Sequence, residues 1–407
     1  MNNISILTND KCFSCGSCAL ICPRNAIFFE ENKEGFLFPI ITNACINCGL
    51  CIKKCPSLSY FPKQCNIKKK VYMAFLKDSK KLMESTSGGL FTAIAEMVLK
   101  ENGVVFGASY DNELNVFQRG VDSIDDLKFL KGSKYLESRT QQSFKIVKRY
   151  LTQKKIVFYS GTPCHIAGLK QFLGRDYDNL ITADLICHGV PSQKLFHKYL
   201  KWLEEKENGK IIYYGFRDKD VGGWSCGGKI KIKTKTKTKT KTINPTYDPY
   251  YSSFLKYETY RESCYTCPYA NKELYRPGDI TLGDFFEIRE LLPEIENQKG
   301  VSMCIINTKK GNEIFAKITQ NIIFKEINLD DCIKLKEINL IRPSPRPSFR
   351  NIVYENIDTL SNKRYFKQFS YISILYHLKR LILKIIVKLF PKSIKEKIKI
   401  IIYTKEK

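Results

Sequence analysis

The central part of the chain alternates short apolar runs with segments whose apolar residues recur at helical spacing. The apolar runs are typical of buried strands, and the segments between them are typical of amphipathic helices. Strands that alternate with helices of this length indicate an α/β domain with a mainly parallel or mixed sheet. The pattern predicts strands at 71–76, 103–110, 155–160 and 179–187, and helices at 90–99, near 123–131, and at 143–153, 164–173 and 192–206.

The alternation weakens after the apolar run at 211–216. We predict further strands at 211–216, 279–284 and 301–307 and a helix at 310–318. The proline-rich segment 342–347 predicts a stiff linker that ends this domain. We therefore divide the chain into an N-terminal module at 1–60, a linker at 61–70, an α/β domain at 71–350 and a helical, basic tail at 351–407.

The N-terminal module combines a predicted hairpin with two matching cysteine runs. Phe28 and Phe29 precede a polar turn at 30–34, and a second apolar run follows it at 35–38. The spacing C-x2-C-x2-C-x3-C-P occurs twice, at 12–23 and at 45–56. This is the spacing of two-cluster bacterial ferredoxins, in which the fourth cysteine of each run ligates the other cluster. A ferredoxin-like α+β module is therefore predicted.

The two runs predict eight ligands for two [4Fe–4S] clusters. Gly16 and Gly49 can supply backbone conformations that are open only to glycine, so that a tight loop wraps three corners of a cluster. Paired C-x2-C motifs also bind zinc, but two matched runs that are each closed by proline favour iron–sulfur clusters. One cluster takes Cys12, Cys15, Cys18 and Cys55, and the other takes Cys45, Cys48, Cys51 and Cys22.

Cysteine usage also bears on the compartment. The chain has 407 residues and 16 cysteines, half of them in the two runs. Cysteines at ferredoxin spacing indicate metal ligation in a reducing cytoplasm rather than disulfide bonds. We expect no signal peptide, because no apolar run precedes the first cysteine loop.

The net charge of +26 is concentrated in two segments. Thirteen basic and two acidic residues lie at 363–407, and seven lysines lie at 229–241. The rest of the chain has an ordinary charge, so we predict no nucleic-acid partner. The tract at 229–242 alternates lysine with isoleucine or threonine, which fits a polyanion-binding ribbon or a solvated edge hairpin. We favour the hairpin, because lysine-rich edges resist unwanted strand pairing.

The basic tail predicts an amphipathic helix at 371–403. Arg380, Lys384 and Lys388 are four residues apart and share one helix face. Charges every few residues and Pro391 exclude a membrane span. Such a helix can lie on the inner membrane surface, or it can dock on a partner or on this domain.

Four further cysteines suggest another site. Cys164 and Cys187 each follow a predicted strand, so a parallel sheet places them at the same edge. Cys264 and Cys267 add a C-x2-C pair. Four thiolates suffice for a third [4Fe–4S] cluster, but separate buried cysteines explain the pattern equally well.

Two segments rich in small residues suggest an anion site. Residues 85–89 open the helix at 90–99, where free backbone N–H groups attract phosphate, although ordinary N-capping also explains them. Residues 131–135 add basic and small side chains. No G-x-G-x-x-G follows a strand, so a Rossmann NAD site is not supported. His165 and His188 each follow a candidate ligand cysteine, as donors to the site or as structural histidines.

Six motifs, in this order, resemble the coenzyme F420 hydrogenase/dehydrogenase beta-subunit family over about residues 70–350. They are STSGGLFTAIA, KGSKYLES, FYSGTPCHIAGLK, DLICHGVPS, RESCYTCPYA and GDITLGDF. The resemblance implies an iron–sulfur flavoprotein that binds FAD and exchanges electrons with a hydride-accepting substrate. It also implies a third cluster on Cys164, Cys187, Cys264 and Cys267, and flavin contacts at Ser87, Gly88, Gly89, Lys134, Thr162 and Gly283.

These observations predict an oxidoreductase. A ferredoxin or another redox protein supplies electrons to the N-terminal clusters, and FAD delivers a hydride to an organic acceptor, F420 or another. No acid or base residue is predicted. The alternative is an electron-transfer subunit without a substrate of its own, docked to another enzyme. A lysine-rich protein that binds nucleic acid or membrane is the third hypothesis.

Overall fold

The structure is a computed structural model that describes residues 2–59, 69–224, 227–295, 299–334 and 338–369. In these ranges the strands form sheets of two, eight and three strands. Among the described residues, no helix combines the length and the apolar character needed to cross a membrane. The tail helix predicted at 371–403 lies outside the described residues, as does most of the linker predicted at 61–70.

The N-terminal module holds the predicted hairpin, with strands β1 (Ile27–Glu31) and β2 (Leu37–Ile41) paired antiparallel. Three short helices accompany it, α1 (Ser17–Leu20), α2 (Leu50–Lys53) and α3 (Pro56–Ser59). Helices α1 and α2 each start after a glycine in the left-handed region, Gly16 at φ 82° and Gly49 at φ 74°. A side chain is strained in that conformation, which explains glycine at both positions.

The rest of the chain adds eleven described strands. In chain order they are β3 (Lys70–Leu76), β4 (Val104–Tyr110), β5 (Val116–Val121), β6 (Val157–Gly161), β7 (Leu180–Leu185), β8 (Lys210–Gly215), β9 (Gly228–Lys233), β10 (Thr238–Ile243), β11 (Ile280–Asp284), β12 (Ser302–Ile306) and β13 (Ile322–Ile327). The helices are α4 (Ser79–Met83), α5 (Leu90–Lys100), α6 (Gln141–Thr152), α7 (Pro163–Leu173), α8 (Gln193–Glu207), α9 (Pro249–Leu255), α10 (Ile288–Leu291), α11 (Lys309–Ile318), α12 (Leu329–Lys334), α13 (Ile338–Ile341) and α14 (Arg350–Glu355).

The large sheet is mixed, in the order β13-β3-β12-β11-β7-β6-β4-β5. Its centre, β11-β7-β6-β4, is parallel, while β12, β13 and β5 pair antiparallel to their neighbours. Strands β5 and β13 were missed by the sequence prediction. Strand β5 includes Gln118, Arg119 and Gly120, which interrupt its apolar run, and β13 is an edge strand with four exposed residues. The helix predicted near 123–131 is a 3-10 turn at Asp125–Phe129.

Helices cover both faces of the large sheet. Tyr72, Ala74 and Leu76 of β3 pack with α5 and α11, whereas Val71 and Met73 pack on the opposite face with α10, α12 and α13. Helices α6 and α7 extend that second face over β4 and β6. Strands buried on both faces read as continuous apolar runs, and this is why the pattern of the sequence located most of them.

A third unit consists of the sheet β10-β9-β8 with α8, α9 and α14 around an aromatic core. The lysine tract is its hairpin β9–β10, as predicted, with Ile230 and Ile232 buried and most of its lysines exposed. Val353, Tyr365 and Phe366 also belong to this core. The described residues of the predicted tail, 351–369, therefore pack against residues of the predicted α/β domain.

Candidate functional site

The predicted site residues collect at the carboxyl edge of the parallel strands. Strand β6 ends at Gly161, directly before Thr162 and α7, and β7 ends at Leu185, two residues before Cys187. Strand β11 runs parallel to β7, so Asp284 at its end lies at the same edge. The loop from β3 to α5, which includes Ser87, also starts from this edge because β3 runs parallel to β11. The topology thus confirms the expectation that Cys164 and Cys187 share one edge.

The first cysteine set predicted for a cluster is buried and mutually close. Burial raises the pKa of the Cys15 thiol to about 11 and that of Cys55 to about 12. Burial also raises the pKa of Cys18, and the neighbouring charges of Cys15, Cys12 and Cys55 add to it. Thiolates are the form that ligates metal, and four of them in one buried place need a cationic centre. The donor set therefore fits an iron–sulfur cluster.

The second predicted set takes one cysteine from the first run and three from the second. Cys22 of the first run lines the same small cleft as Cys45, Cys48 and Cys51 of the second. This set lies nearer to solvent than the first, since Cys48 is exposed and Ile46 beside it is 61% exposed. The side-chain amide of Asn3 donates to Asn47 Oδ1 at 2.6 Å and fixes this loop.

The third set gathers Cys164, Cys187, Cys264 and Cys267. Burial raises the pKa of Cys164, and the charges of Cys267, Cys187 and Cys264 raise it further. Burial likewise raises the pKa of Cys264, followed by Cys187 and Cys267. The charge of each ionised thiol thus raises the pKa of its neighbours, so the four lie close together. Such a group fits a shared cationic centre. Among the described residues, no three histidine, cysteine, aspartate or glutamate side chains are arranged around a single metal ion.

The buried ion pair of Arg276 and Asp184 lies beside the third cysteine set. The Arg276 guanidinium donates to Asp184 Oδ1 at 2.6 Å and to the Tyr269 carbonyl at 2.9 Å, and neither charged side chain is more than 1% exposed. Arg276 offsets part of the pKa increase that burial causes at Cys187 and Cys267. It therefore places one positive charge beside two of the four thiols and anchors the chain next to Cys267.

The glycine-rich loop before α5 lies against β12. The backbone N–H of Gly88 donates to Ser302 Oγ at 2.9 Å, and Ser87 Oγ donates to the Val301 carbonyl at 2.9 Å. A Cβ on Gly88 would lie 2.3 Å from the Ala74 carbonyl oxygen. Gly89 adopts φ 84° as the N-cap of α5. Close packing thus explains Gly88, and a left-handed helix start explains Gly89; a flavin contact at either stays a prediction.

The other three predicted flavin contacts, Gly283, Thr162 and Lys134, lie on separate elements. Gly283 of β11 packs against the Ile186 side chain, and Thr162 Oγ1 lies 3.3 Å from Cys164 Sγ. Lys134 donates to the Lys131 carbonyl at 2.8 Å and to those of Phe129 and Leu130. Burial lowers the pKa of Lys134 to about 7. Lys134 therefore caps the 3-10 turn, and its role toward a flavin stays a prediction.

Sequence reasoning missed several charged and aromatic residues at this edge. Lys219 Nζ donates to the Ser87 and Leu82 carbonyls, each at 2.7 Å, and burial lowers its pKa to about 7. Asp284 pairs with Arg217 and accepts from Trp224 Nε1 at 2.8 Å. Trp224 stacks on Phe286 with centroids 4.8 Å apart. Asp284 stands in the GDITLGDF motif, whereas Arg217, Lys219 and Trp224 stand in none of the six motifs, so only the fold identifies those three.

Of the two histidines that follow candidate ligands, His165 is buried and His188 is partly buried. Burial, with a smaller contribution from the nearby Arg261 charge, lowers the pKa of His165 to about 4. Burial also lowers the pKa of His188, whose ring stacks on Phe254 with centroids 6.3 Å apart. Neutral imidazoles therefore flank the third set at physiological pH.

A separate cavity of about 1830 Å³ lies at the opposite edge of the sheet. Among the described residues that line it are Leu180 at the start of β7 and Asn307 after β12, together with Lys170, Lys309 and Lys310. It is lined by none of the six predicted flavin contacts. The candidate site at the carboxyl edge is therefore distinct from this cavity.

Comparison with known proteins adds two family matches. Residues 154–331 match the family described as the C terminus of the coenzyme F420 hydrogenase/dehydrogenase beta subunit, and residues 11–58 match the 4Fe-4S dicluster domain. Among solved structures, a chain of the F420-reducing [NiFe] hydrogenase complex from Methanosarcina barkeri, studied as a xenon derivative, is similar at 18% identity. The similarity covers 66% of this chain and 88% of that chain, with a TM-score of 0.42. No curated protein matches this chain.

Proposed function

We propose that this chain, which belongs to the coenzyme F420 hydrogenase/dehydrogenase beta-subunit family and has an N-terminal 4Fe–4S domain, is a cytoplasmic iron–sulfur flavoprotein oxidoreductase. It relays electrons between a ferredoxin-like donor and FAD for hydride transfer to an organic acceptor, F420 or another. Family membership and the 4Fe–4S domain make it an iron–sulfur electron-transfer protein. The cluster count, the flavin and the acceptor are the parts that we propose.

The observation that carries the proposal is the grouping of twelve cysteines into three sets. Two sets lie in the N-terminal module, and Cys164, Cys187, Cys264 and Cys267 form the third at the carboxyl edge of the large sheet. Members of two sets come from distant parts of the chain, such as Cys18 and Cys55, or Cys164 and Cys264. Such grouping supports three separate four-thiolate ligand sets.

Iron–sulfur clusters exchange single electrons, and a flavin combines two of them into one hydride. The chain supplies position and charge. Cys164 is held at the start of α7 by the turn after β6, and Arg276 keeps a positive charge beside Cys187 and Cys267. No side chain caps the N-terminus of α5 at Gly89, so its backbone N–H groups are the candidate partners of a flavin phosphate. The Lys219 amine donates a hydrogen bond to the Ser87 carbonyl and so places a titratable group beside that loop.

The test is anaerobic purification followed by counts of iron, acid-labile sulfide and flavin per chain. Three clusters predict about twelve irons and about twelve sulfides, with one FAD. About eight irons without flavin would contradict both the third cluster and the flavin site. In the Cys264→Ser variant we expect the iron count to fall by about four while the N-terminal module keeps its clusters.

The exposed loop around Cys48 favours a second function, an electron-transfer subunit that passes electrons to a separate enzyme. The two functions differ in what the isolated chain does. Purified enzyme that reduces F420, or another hydride acceptor, with a chemical electron donor supports the oxidoreductase. Reduction of bound flavin without turnover of any acceptor supports the electron-transfer role.

A further inference from the structure

We infer that loop 12–18, and not loop 45–51, is the face of the N-terminal module that adjoins the third cysteine set, with Arg261 as its positioning residue. The inference rests on the proposed electron relay and deepens it. It assigns an order to the three sets: Cys22, Cys45, Cys48 and Cys51 lie outermost, Cys12, Cys15, Cys18 and Cys55 lie in the middle, and Cys164, Cys187, Cys264 and Cys267 lie innermost.

Helix α7 provides the first contact between the middle and inner sets. Cys164 is in its first turn, and Gly168 is four residues further on the same helix face. A Cβ on Gly168 would lie 2.6 Å from Cys15 Cβ and 2.9 Å from Cys15 Sγ. Ser17 Oγ donates to the Gly168 carbonyl at 2.6 Å. About one helical turn, roughly 5–6 Å, therefore separates Cys164 from the backbone that touches Cys15.

The segment before Cys264 provides the second contact. Arg261 Nε donates to the Cys12 carbonyl at 2.7 Å, and Ser263 Oγ donates to the same oxygen at 2.9 Å. Cys264 follows Ser263 directly. One hydrogen bond to Cys12 thus comes from the residue next to Cys264, and the other comes from Arg261, three residues before that ligand.

Arg261 is held rigidly in this place. Its guanidinium is 2% exposed, donates to Glu137 at 2.9 Å and to the Leu37 carbonyl at 2.8 Å, and lies 4.3 Å from the Phe38 ring centroid. A planar guanidinium with three fixed acceptors has little freedom, so it sets the distance between the two loops.

Loop 45–51 has a different environment. Ile46 is 61% exposed and Cys48 is exposed, while the side-chain hydrogen bond at Asn47 comes from Asn3 of the same module. A Cβ on Gly49 would meet the Asn2 side chain, which also belongs to the module. This loop therefore presents the outer set to solvent, where a protein donor of single electrons can approach it. With clusters bound, the middle and inner sets would exchange single electrons, which requires no bond to break and no proton to move.

Spectroscopy on cysteine variants tests the order. In the dithionite-reduced protein, we expect paramagnetic resonance spectra to show magnetic interaction between the middle and inner centres. The Cys48→Ser variant, which removes the outer ligand, keeps that interaction. The Cys18→Ser variant loses it while the inner centre is retained. Interaction that survives in Cys18→Ser and disappears in Cys48→Ser would overturn the inference.

Arg261→Gln tests the positioning role. We expect an unchanged iron count, a weaker magnetic interaction and flavin reduction by a ferredoxin donor that is slower on the order of tenfold. Arg346→Gln is the matched control, since Arg346 pairs with Glu262 in the same segment but is 38% exposed. Equal behaviour of the two variants with full iron content would overturn the role of Arg261. Loss of the third cluster from the wild type would instead contradict the proposed function.

Discussion

Position 88 lies two residues before α5, and the backbone around it has no space for a side chain. A Cβ there would lie 2.3 Å from the Ala74 carbonyl oxygen and 2.5 Å from the Ser302 backbone nitrogen. Both neighbours are backbone atoms of paired strands, so neither can move without disturbing the sheet. Buried residues of this kind respond to one added methyl group.

Gly88→Ala is therefore expected to lower the free energy of unfolding by about 1–3 kcal/mol. Gly107→Ala is the matched control, because a Cβ at Gly107 of β4 would have ordinary contacts at 3.4 Å or more with Leu130 and Phe91. Its free energy of unfolding should change by less than about 1 kcal/mol. Anaerobic urea denaturation followed by tryptophan fluorescence measures both. Equal stability of the two variants would contradict the close approach at Gly88.

Lys219 should make the free energy of unfolding depend on pH. Burial lowers its pKa from 10.5 to about 7 in the folded protein. Between about pH 7 and 10.5 the unfolded chain therefore holds a proton that the folded chain lacks, so the free energy of unfolding rises with pH across this window. In wild type the rise contributed by Lys219 is on the order of 1 kcal/mol per pH unit.

The Lys219→Met variant removes this contribution. Its urea midpoint should rise less than that of wild type between pH 7 and pH 9, with both proteins measured in the same anaerobic buffers. Parallel pH profiles for the two proteins would mean that Lys219 keeps an ordinary pKa in the folded state.

At the scale of elements, alternation and apolar runs located most strands, and the exceptions have physical reasons. Strand β5 is interrupted by Gln118 and Arg119, and β13 exposes four of its six residues at the sheet edge. A pattern of burial reveals only elements that are buried in a regular way. The hairpin β9–β10 was predictable because its isoleucines alternate with lysines, a period of two.

Substitutions at the buried isoleucines and at the exposed lysines of the hairpin β9–β10 should change stability by different amounts. Ile232 is fully buried in the aromatic core, so Ile232→Ala should cost about 2–5 kcal/mol of unfolding free energy. The triple variant Lys233→Gln, Lys235→Gln and Lys237→Gln changes exposed side chains and should alter stability by less than about 1 kcal/mol. Chemical denaturation measures both. A triple variant that is less stable than Ile232→Ala would show that the lysines have structural contacts.

At the scale of the whole molecule, residues 350–369 join distant parts of the chain. Arg350, which is 1% exposed, pairs with Glu34 of the N-terminal hairpin and donates to the Tyr260 carbonyl at 3.1 Å. Tyr354 packs on Phe36 with ring centroids 5.6 Å apart. One segment thus contacts both the N-terminal module and the aromatic core.

Two truncations test this connection. A chain that ends at residue 349 loses the Arg350–Glu34 pair and buried aromatic residues, including Tyr365 and Phe366. We expect it to be less stable than a chain that ends at residue 369 by several kcal/mol, since breaking a buried ion pair alone costs about 3–5 kcal/mol. Thermal unfolding of both chains, at equal iron content, gives the comparison. Equal melting temperatures would support the boundary predicted at residue 350.

The sequence by itself determined the two cysteine runs and most strands of the large sheet, and it predicts how the eight cysteines divide between two ligand sets. These features follow from spacing along the chain, because neighbouring residues are held together by covalent bonds in every fold. Only the tertiary structure decided which cysteine loop adjoins the third set and which buried charges pair. Arg261 and Cys12 are separated by 249 positions, and Arg276 and Asp184 by 92. Contacts between residues so far apart in the sequence depend on tertiary packing, which the local sequence pattern does not encode.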